Sequence, residues 1–279
     1  SLWGLLLILI GSLLLDVLIV VLLLLPCRMS AKQRWFRGVL QHIARVILYA
    51  MPGCHLRIHR HGETFRQPSI IIANHLSMID LLIMLSLSPD IVITAKSWVI
   101  RNPLFALIAK FAGFIDTSKG VEQMEQTMTA IVAQQQSLLI FPEGTRSDDL
   151  EMQRFHKGAF YLAEHYHLDI VPIVLYGTGN VYRKGQLYLA NGTMVTEVLP
   201  RIACNDARYG TTYQERAKQI RRYMAAEYDK LRAAYDTMDN AYYRTAFDKN
   251  YLYKDVRVAR MERRMARQNQ YYRWLDALV

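Results

Sequence analysis

Ile70-Ile71-Ile72-Ala73-Asn74-His75-Leu76-Ser77-Met78-Ile79-Asp80 passes from a β-branched run, through a polar pair, into a helical pattern. Three consecutive isoleucines fit a strand buried on both faces, as in a sheet covered by helices. A helix is expected over 77–86, so Asn74 and His75 fall at a strand-to-helix junction. There a side chain can reach a cleft while its backbone stays rigid. The same alternation of short apolar runs and helical segments continues from about residue 55 to 200. Strands are expected at 56–60, 70–73, 91–94, 114–116, 138–141, 170–175 and 187–189, and helices at 103–111, 121–135 and 158–164. This pattern predicts an α/β domain.

Asp80 follows His75 by five residues. If His75 precedes the regular helix, the carboxylate can fix the imidazole tautomer while the ring accepts a hydroxyl proton. The same spacing also serves an ordinary surface pair or cap. A second motif follows the apolar run at 138–140: Phe141-Pro142-Glu143-Gly144-Thr145-Arg146-Ser147. A turn of this type at a strand end can present the Gly144 N–H and the Arg146 guanidinium to an anion. It can equally be a plain turn with a surface arginine.

The rest of the chain bounds the class. Its 279 residues carry a net charge of +10, with 52% hydrophobic and 21% charged residues, which excludes intrinsic disorder. The three cysteines, Cys27, Cys54 and Cys204, form no CxxC pair, so neither a disulfide scaffold nor a structural zinc site is expected. His165 and His167, two apart on a helix, point to different faces, and no metal site is expected there. Residues 2–25 carry only Asp16 as an ionisable side chain, and are expected to form a transmembrane helix, an anchor ending at residue 26. Arg28, Lys32, Arg34 and Arg37 follow it, so the positive-inside rule puts the remainder on the cytoplasmic side, with the bacterial inner membrane as the expected location. Residues 27–54 read as an amphipathic helix and linker, suited to the membrane interface or to packing on the domain. Residues 206–279 read as a helical, basic C-terminal extension, with Arg257, Arg260, Arg264 and Arg267 along one stripe. That stripe is a solvated face or a docking surface for anionic lipid or an acidic carrier protein. No nucleic-acid module is recognisable, so no nucleic-acid partner is expected.

Taken together and in order, the motifs resemble the glycerolipid acyltransferases, the 1-acyl-sn-glycerol-3-phosphate acyltransferases and their relatives. Asn74-His75 with Asp80 resembles the family's first block and Gly113-Phe114-Ile115-Asp116 its second. Phe141 to Ser147 resembles the third block, and Val171-Pro172-Ile173-Val174 the fourth. The resemblance covers roughly residues 55–200, and an acyltransferase domain is expected over 55–205. It implies an α/β fold with a mixed sheet flanked by helices. It also implies transfer of a fatty acyl group from an acyl thioester, acyl-CoA or acyl carrier protein, to a lysophospholipid hydroxyl, with no other cofactor. His75 would be the general base, oriented by Asp80. Asn74, Glu143, Gly144, Thr145 and Arg146 would bind substrate, with backbone near Gly144 holding the oxyanion. In glycerol-phosphate users the second block usually ends in Arg, where this chain has Thr117. Lys119 is then the expected substitute. A different lyso-lipid or specialised acceptor served by acyl carrier protein is the alternative, and a non-enzymatic membrane-tethered adaptor is the third reading.

Overall fold

The computed structural model describes residues 2–235, apart from 52, 103, 104, 187 and 188. In chain order the elements are α1 (Leu2–Leu24), α2 (Met29–Ala50), β1 (Cys54–His59), β2 (Ser69–Ala73), α3 (Ile79–Leu87), β3 (Ile91–Ala95) and α4 (Ser97–Arg101). They continue as α5 (Ala106–Ala112), β4 (Ile115–Asp116), a 3₁₀ turn (Thr117–Lys119), α6 (Gly120–Ala133) and β5 (Ser137–Ile140). The last are α7 (Gly158–His165), β6 (Asp169–Tyr176), α8 (Thr178–Val181), β7 (Gly192–Val198) and α9 (Tyr213–Tyr235). The strands form one sheet in the order β1-β7-β6-β2-β5-β3-β4. All neighbours are parallel except β6 and β7. The expected mixed α/β sheet is therefore present.

The isoleucine run becomes the sheet's central strand. Its alternate side chains enter opposite layers, as a period of two requires. Ile70 and Ile72 join α6, α7 and α9 on one face, whereas Ile71 and Ala73 join α2 and α3 on the other. From β2 the chain crosses to β3 through α3, and from β5 it crosses back to β6 through α7. Adjacent parallel strands thus send their following helices to opposite faces. A crevice opens at their carboxyl ends, the usual ligand position in open α/β sheets. His75 follows β2 by two residues and Phe141 follows β5 directly, so both enter that crevice.

The helix expected at 2–25 forms, but the single-pass anchor does not carry through. Among the described residues no helix is long and apolar enough to cross a membrane. α1 instead docks through Leu15, Ile19 and Leu22 on Phe36 and Leu40 of α2 and Phe111 of α5, where the two phenyl rings meet edge-on at 5.0 Å. Gly11 lies against Ile43 and Ile47 while Lys32 Nζ reaches the Leu23 carbonyl, so α1 and α2 form an antiparallel hairpin. The opposite face of α1, including Leu13, Leu14, Val17, Val20 and Val21, is exposed.

α9 is the helix expected after residue 210, and it packs on the sheet through Ile220, Met224, Tyr228 and Leu231. The strand expected at 187–189 falls partly outside the described residues, as does the whole stripe Arg257, Arg260, Arg264 and Arg267.

Candidate active site

His75 stands in the crevice with its side chain 14% exposed. Its Nδ1 lies 2.8 Å from Asp80 Oδ2, and the same oxygen accepts the N–H groups of Leu76 at 2.7 Å and Ser77 at 2.8 Å. A fully buried carboxylate therefore closes the turn that starts α3 and also orients the imidazole. With Nδ1–H donated to Asp80, the remaining nitrogen, Nε2, is the proton acceptor. Phe141 stacks on the ring at 4.1 Å between centroids.

The third block grips the backbone of His75 on both sides. The His75 N–H donates to Glu143 Oε1 at 3.1 Å, and the His75 carbonyl accepts the Ser147 N–H at 2.8 Å. The second oxygen of Glu143 accepts the Gln153 N–H at 3.1 Å. Glu143 is buried, and burial pushes its carboxyl up to about 7 against those two hydrogen bonds, with the Asp80 charge adding to the rise. Through Oε1 it supports the backbone of His75. Asn74, expected among the substrate contacts, is fully buried. Its amide donates to the Leu175 carbonyl at 2.9 Å and accepts the Leu175 N–H at 2.7 Å, tying the end of β2 to β6.

Gly144 turns with φ +67°, and a Cβ there would come within 3.2 Å of His156. Its N–H, expected to face an oxyanion, is occupied by the Phe141 carbonyl at 3.0 Å. The next two N–H groups, of Thr145 and Arg146, have no hydrogen-bond partner among the described residues. Both residues line the cavity above His75, which has a volume of about 800 Å³.

Lys119 ends the 3₁₀ turn Thr117–Lys119, and Thr117 and Ser118 line the cavity. Lys96, which the sequence did not single out, lines it as well. β3 pairs with β4 in the register Ala95↔Asp116, which brings Lys96 level with Thr117. A cation thus stands beside the position where the expected arginine is missing. The available signal was the change from the apolar run at 91–95 to Lys96 at a strand's carboxyl end. Asp116 braces this rim by accepting from Ser97 Oγ at 2.7 Å and from the Ser118 N–H at 2.9 Å.

Met78 and Leu81 are shared with a second, apolar cavity of about 330 Å³ between α1, α2, α3 and α5. The site therefore sets a proton acceptor and cationic groups beside an adjoining apolar cleft.

Residues 57–176 match the family model described as Acyltransferase. The chain is 34% identical over 151 residues to the 1-acyl-sn-glycerol-3-phosphate acyltransferase of Limnanthes alba, covering 52% of this chain and 54% of that protein. It is 32% identical over 144 residues to the alpha form of the same enzyme from Mus musculus, covering 49% and 50%. The alignments thus span about half the length of these relatives. The crystal structure of the 1-acyl-sn-glycerophosphate (LPA) acyltransferase from Thermotoga maritima shares the fold, with a TM-score of 0.66 at 16% identity over 83% of this chain and 97% of that one. Over residues 57–176 the chain is thus similar to the acyltransferase model and to proteins named 1-acyl-sn-glycerol-3-phosphate acyltransferases, and it shares their α/β fold.

Proposed function

We propose that this protein transfers a fatty acyl group from an acyl thioester to the free hydroxyl of a lysophosphatidic acid-type acceptor. One observation carries this reading: the His75–Asp80 pair opens on a cavity that adjoins an apolar cleft. His75 Nε2 takes the hydroxyl proton as the oxygen attacks the thioester carbonyl carbon, while Asp80 stabilises the imidazolium. The N–H groups of Thr145 and Arg146 receive the tetrahedral oxyanion. Collapse of the intermediate breaks the C–S bond, and the imidazolium returns the proton to sulfur. The products are the new ester and a free thiol, with His75 neutral again. Lys96 holds the acceptor phosphate, and the apolar cleft takes an acyl chain. Lys119, on the turn that carries Thr117, is a further cation for the same phosphate.

Likeness to proteins named 1-acyl-sn-glycerol-3-phosphate acyltransferases supports the acceptor class, and Thr117 in place of arginine favours a second reading with another lyso-lipid. The exposed apolar face of α1 supports work at a membrane, with the hairpin inserted from one side. The test is transfer of a labelled acyl group by full-length protein in detergent to a panel of lyso-acceptors. His75→Ala is expected to lower kcat about 10²–10⁴-fold with the fold retained. Near-normal turnover in that variant refutes the mechanism.

A further inference from the structure

We propose that the basic concavity beside the His75 cavity, walled by Arg146, Arg154, His156 and Lys157, binds the phosphate groups of the donor's phosphopantetheine carrier. This rests on the acyl-transfer reading above and adds a site to it. The concavity has a volume of about 920 Å³ and shares Thr145, Arg146 and His156 with the catalytic cavity, so the two adjoin.

The direction follows from the shape of a thioester, which carries its acyl chain on one side of the carbonyl and its carrier on the other. Three parts of the His75 cavity's lining differ in chemistry. The part formed by Met78 and Leu81 borders the apolar cleft and suits only hydrocarbon. The wall of Lys96, Ser97, Thr117 and Ser118 is small and polar and suits an acceptor head group. With the chain in the cleft and the acceptor on that wall, sulfur and everything beyond it leave toward Arg146 and His156.

The charges agree with this direction. Arg146, Arg154 and Lys157 have no ion pair or side-chain hydrogen bond among the described residues. Among the acidic groups of the same wall, Asp148 is paired with a cation, whereas Asp149 and Glu143 are held by neutral donors. Asp149 accepts from Ser147 Oγ at 2.7 Å and from Gln153 Nε2 at 2.9 Å, Asp148 pairs with Lys184 at 3.0 Å, and Glu143 holds backbone N–H groups. Three cations outnumber the two carboxyl groups, Asp149 and Glu143, that no cation pairs on this wall, and together they attract phosphate, which arginine can meet with paired N–H donors.

Arg154 and Lys157 touch none of the reacting groups, so the test replaces them together, as Arg154→Gln with Lys157→Gln. Calorimetry on the full chain compares 4′-phosphopantetheine with pantetheine. The unaltered protein is expected to bind the phosphorylated form about tenfold more tightly, and the double variant to lose that preference. In steady-state assays the donor KM is expected to rise about tenfold. The acceptor KM, kcat at saturating donor and all kinetics with phosphate-free acyl-pantetheine stay unchanged. Arg154→Lys with Lys157→Arg is expected to restore binding, which separates charge from folding. Comparing acyl-CoA with acyl carrier protein identifies the source, since the KM rises for whichever donor docks there. Retained phosphate preference in the double variant, an equal loss with acyl-pantetheine, or a rise in acceptor KM instead would overturn the proposal. Because calorimetry needs no turnover, absence of transfer with every donor would count against the function and leave the site to be judged by binding alone.

Discussion

Glu143 holds a proton near neutrality because burial outweighs the two backbone N–H groups it accepts. Its folded value of about 7 stands above the ordinary 4.5. Below that window both states are protonated and nothing is lost. As pH rises through it, the folded protein retains a proton that the unfolded chain has released, so stability falls. The full penalty is about 3 kcal/mol above the window. Glu143→Gln removes the titration but also one acceptor, at a cost of about 1–3 kcal/mol. The melting-temperature advantage of the unaltered protein over Glu143→Gln is therefore expected to shrink from pH 5 to pH 8. Parallel melting curves across that range would show that Glu143 does not titrate there. The roles of Glu143 and Asn74 were hidden in the sequence, whereas the His75–Asp80 pair was legible. The pair closes over five residues, but Glu143 meets His75 across 68 and Asn74 meets Leu175 across 101. Such contacts exist only once β2, β5 and β6 lie side by side.

At the scale of elements, α9 reaches the site without touching it. Arg221 Nε donates to the Gln153 carbonyl at 2.8 Å and Nη2 to the Met152 carbonyl at 2.6 Å, while the Tyr228 hydroxyl donates to the Leu150 carbonyl at 2.7 Å. Gln153 in turn donates to Glu143, which holds His75. Arg221→Met is expected to lower kcat about tenfold with acceptor and donor KM little changed, because a positioning contact is lost rather than a binding one. A rise in KM alone would place Arg221 in substrate binding. In the hairpin, Gly11 lines the apolar cleft. Gly11→Ala adds helix propensity and places a methyl group in ordinary contact with Ile47 at 3.4 Å, so the expected result is an unchanged or higher melting temperature and a preference for shorter acyl chains. An unaltered chain-length profile would remove the cleft from acyl binding. The central strands were readable because continuous apolar runs mark burial on both faces. β7 was missed because Thr193, Thr196 and Glu197 interrupt its apolar residues, and its Glu197 side chain bonds His59 at 2.6 Å beside the edge strand β1. The run 2–25 was read as a span because its apolar length is visible in the sequence, whereas its docking on α2 and α5 depends on Phe36, Leu40 and Phe111.

For the whole molecule, the exposed side of α1 and the basic residues that follow it occupy one end of the hairpin. Arg28 and Arg34 are exposed there, so apolar insertion and attraction to anionic head groups act together. In flotation assays the full chain is expected to rise with anionic vesicles. Replacing Leu13, Leu14, Val17 and Val20 by serine should leave most of it at the bottom of the gradient while transfer to a detergent-dispersed acceptor persists. Flotation equal to that of the unaltered chain would assign membrane contact to another surface.

The support that α9 gives to the loop before α7 has a consequence for where this unit can be cut. Residues 57–176 mark the family match, yet they end before β7, which pairs with β6, and before the helix that holds Leu150, Met152 and Gln153 in place. A fragment trimmed to those limits would keep every motif residue and lose the partners of the sheet edge and of the 150–153 turn. Its exposed apolar face on β2, β5 and β6 would then favour self-association over folding. The recognisable stretch and the smallest foldable stretch are different lengths of the same chain.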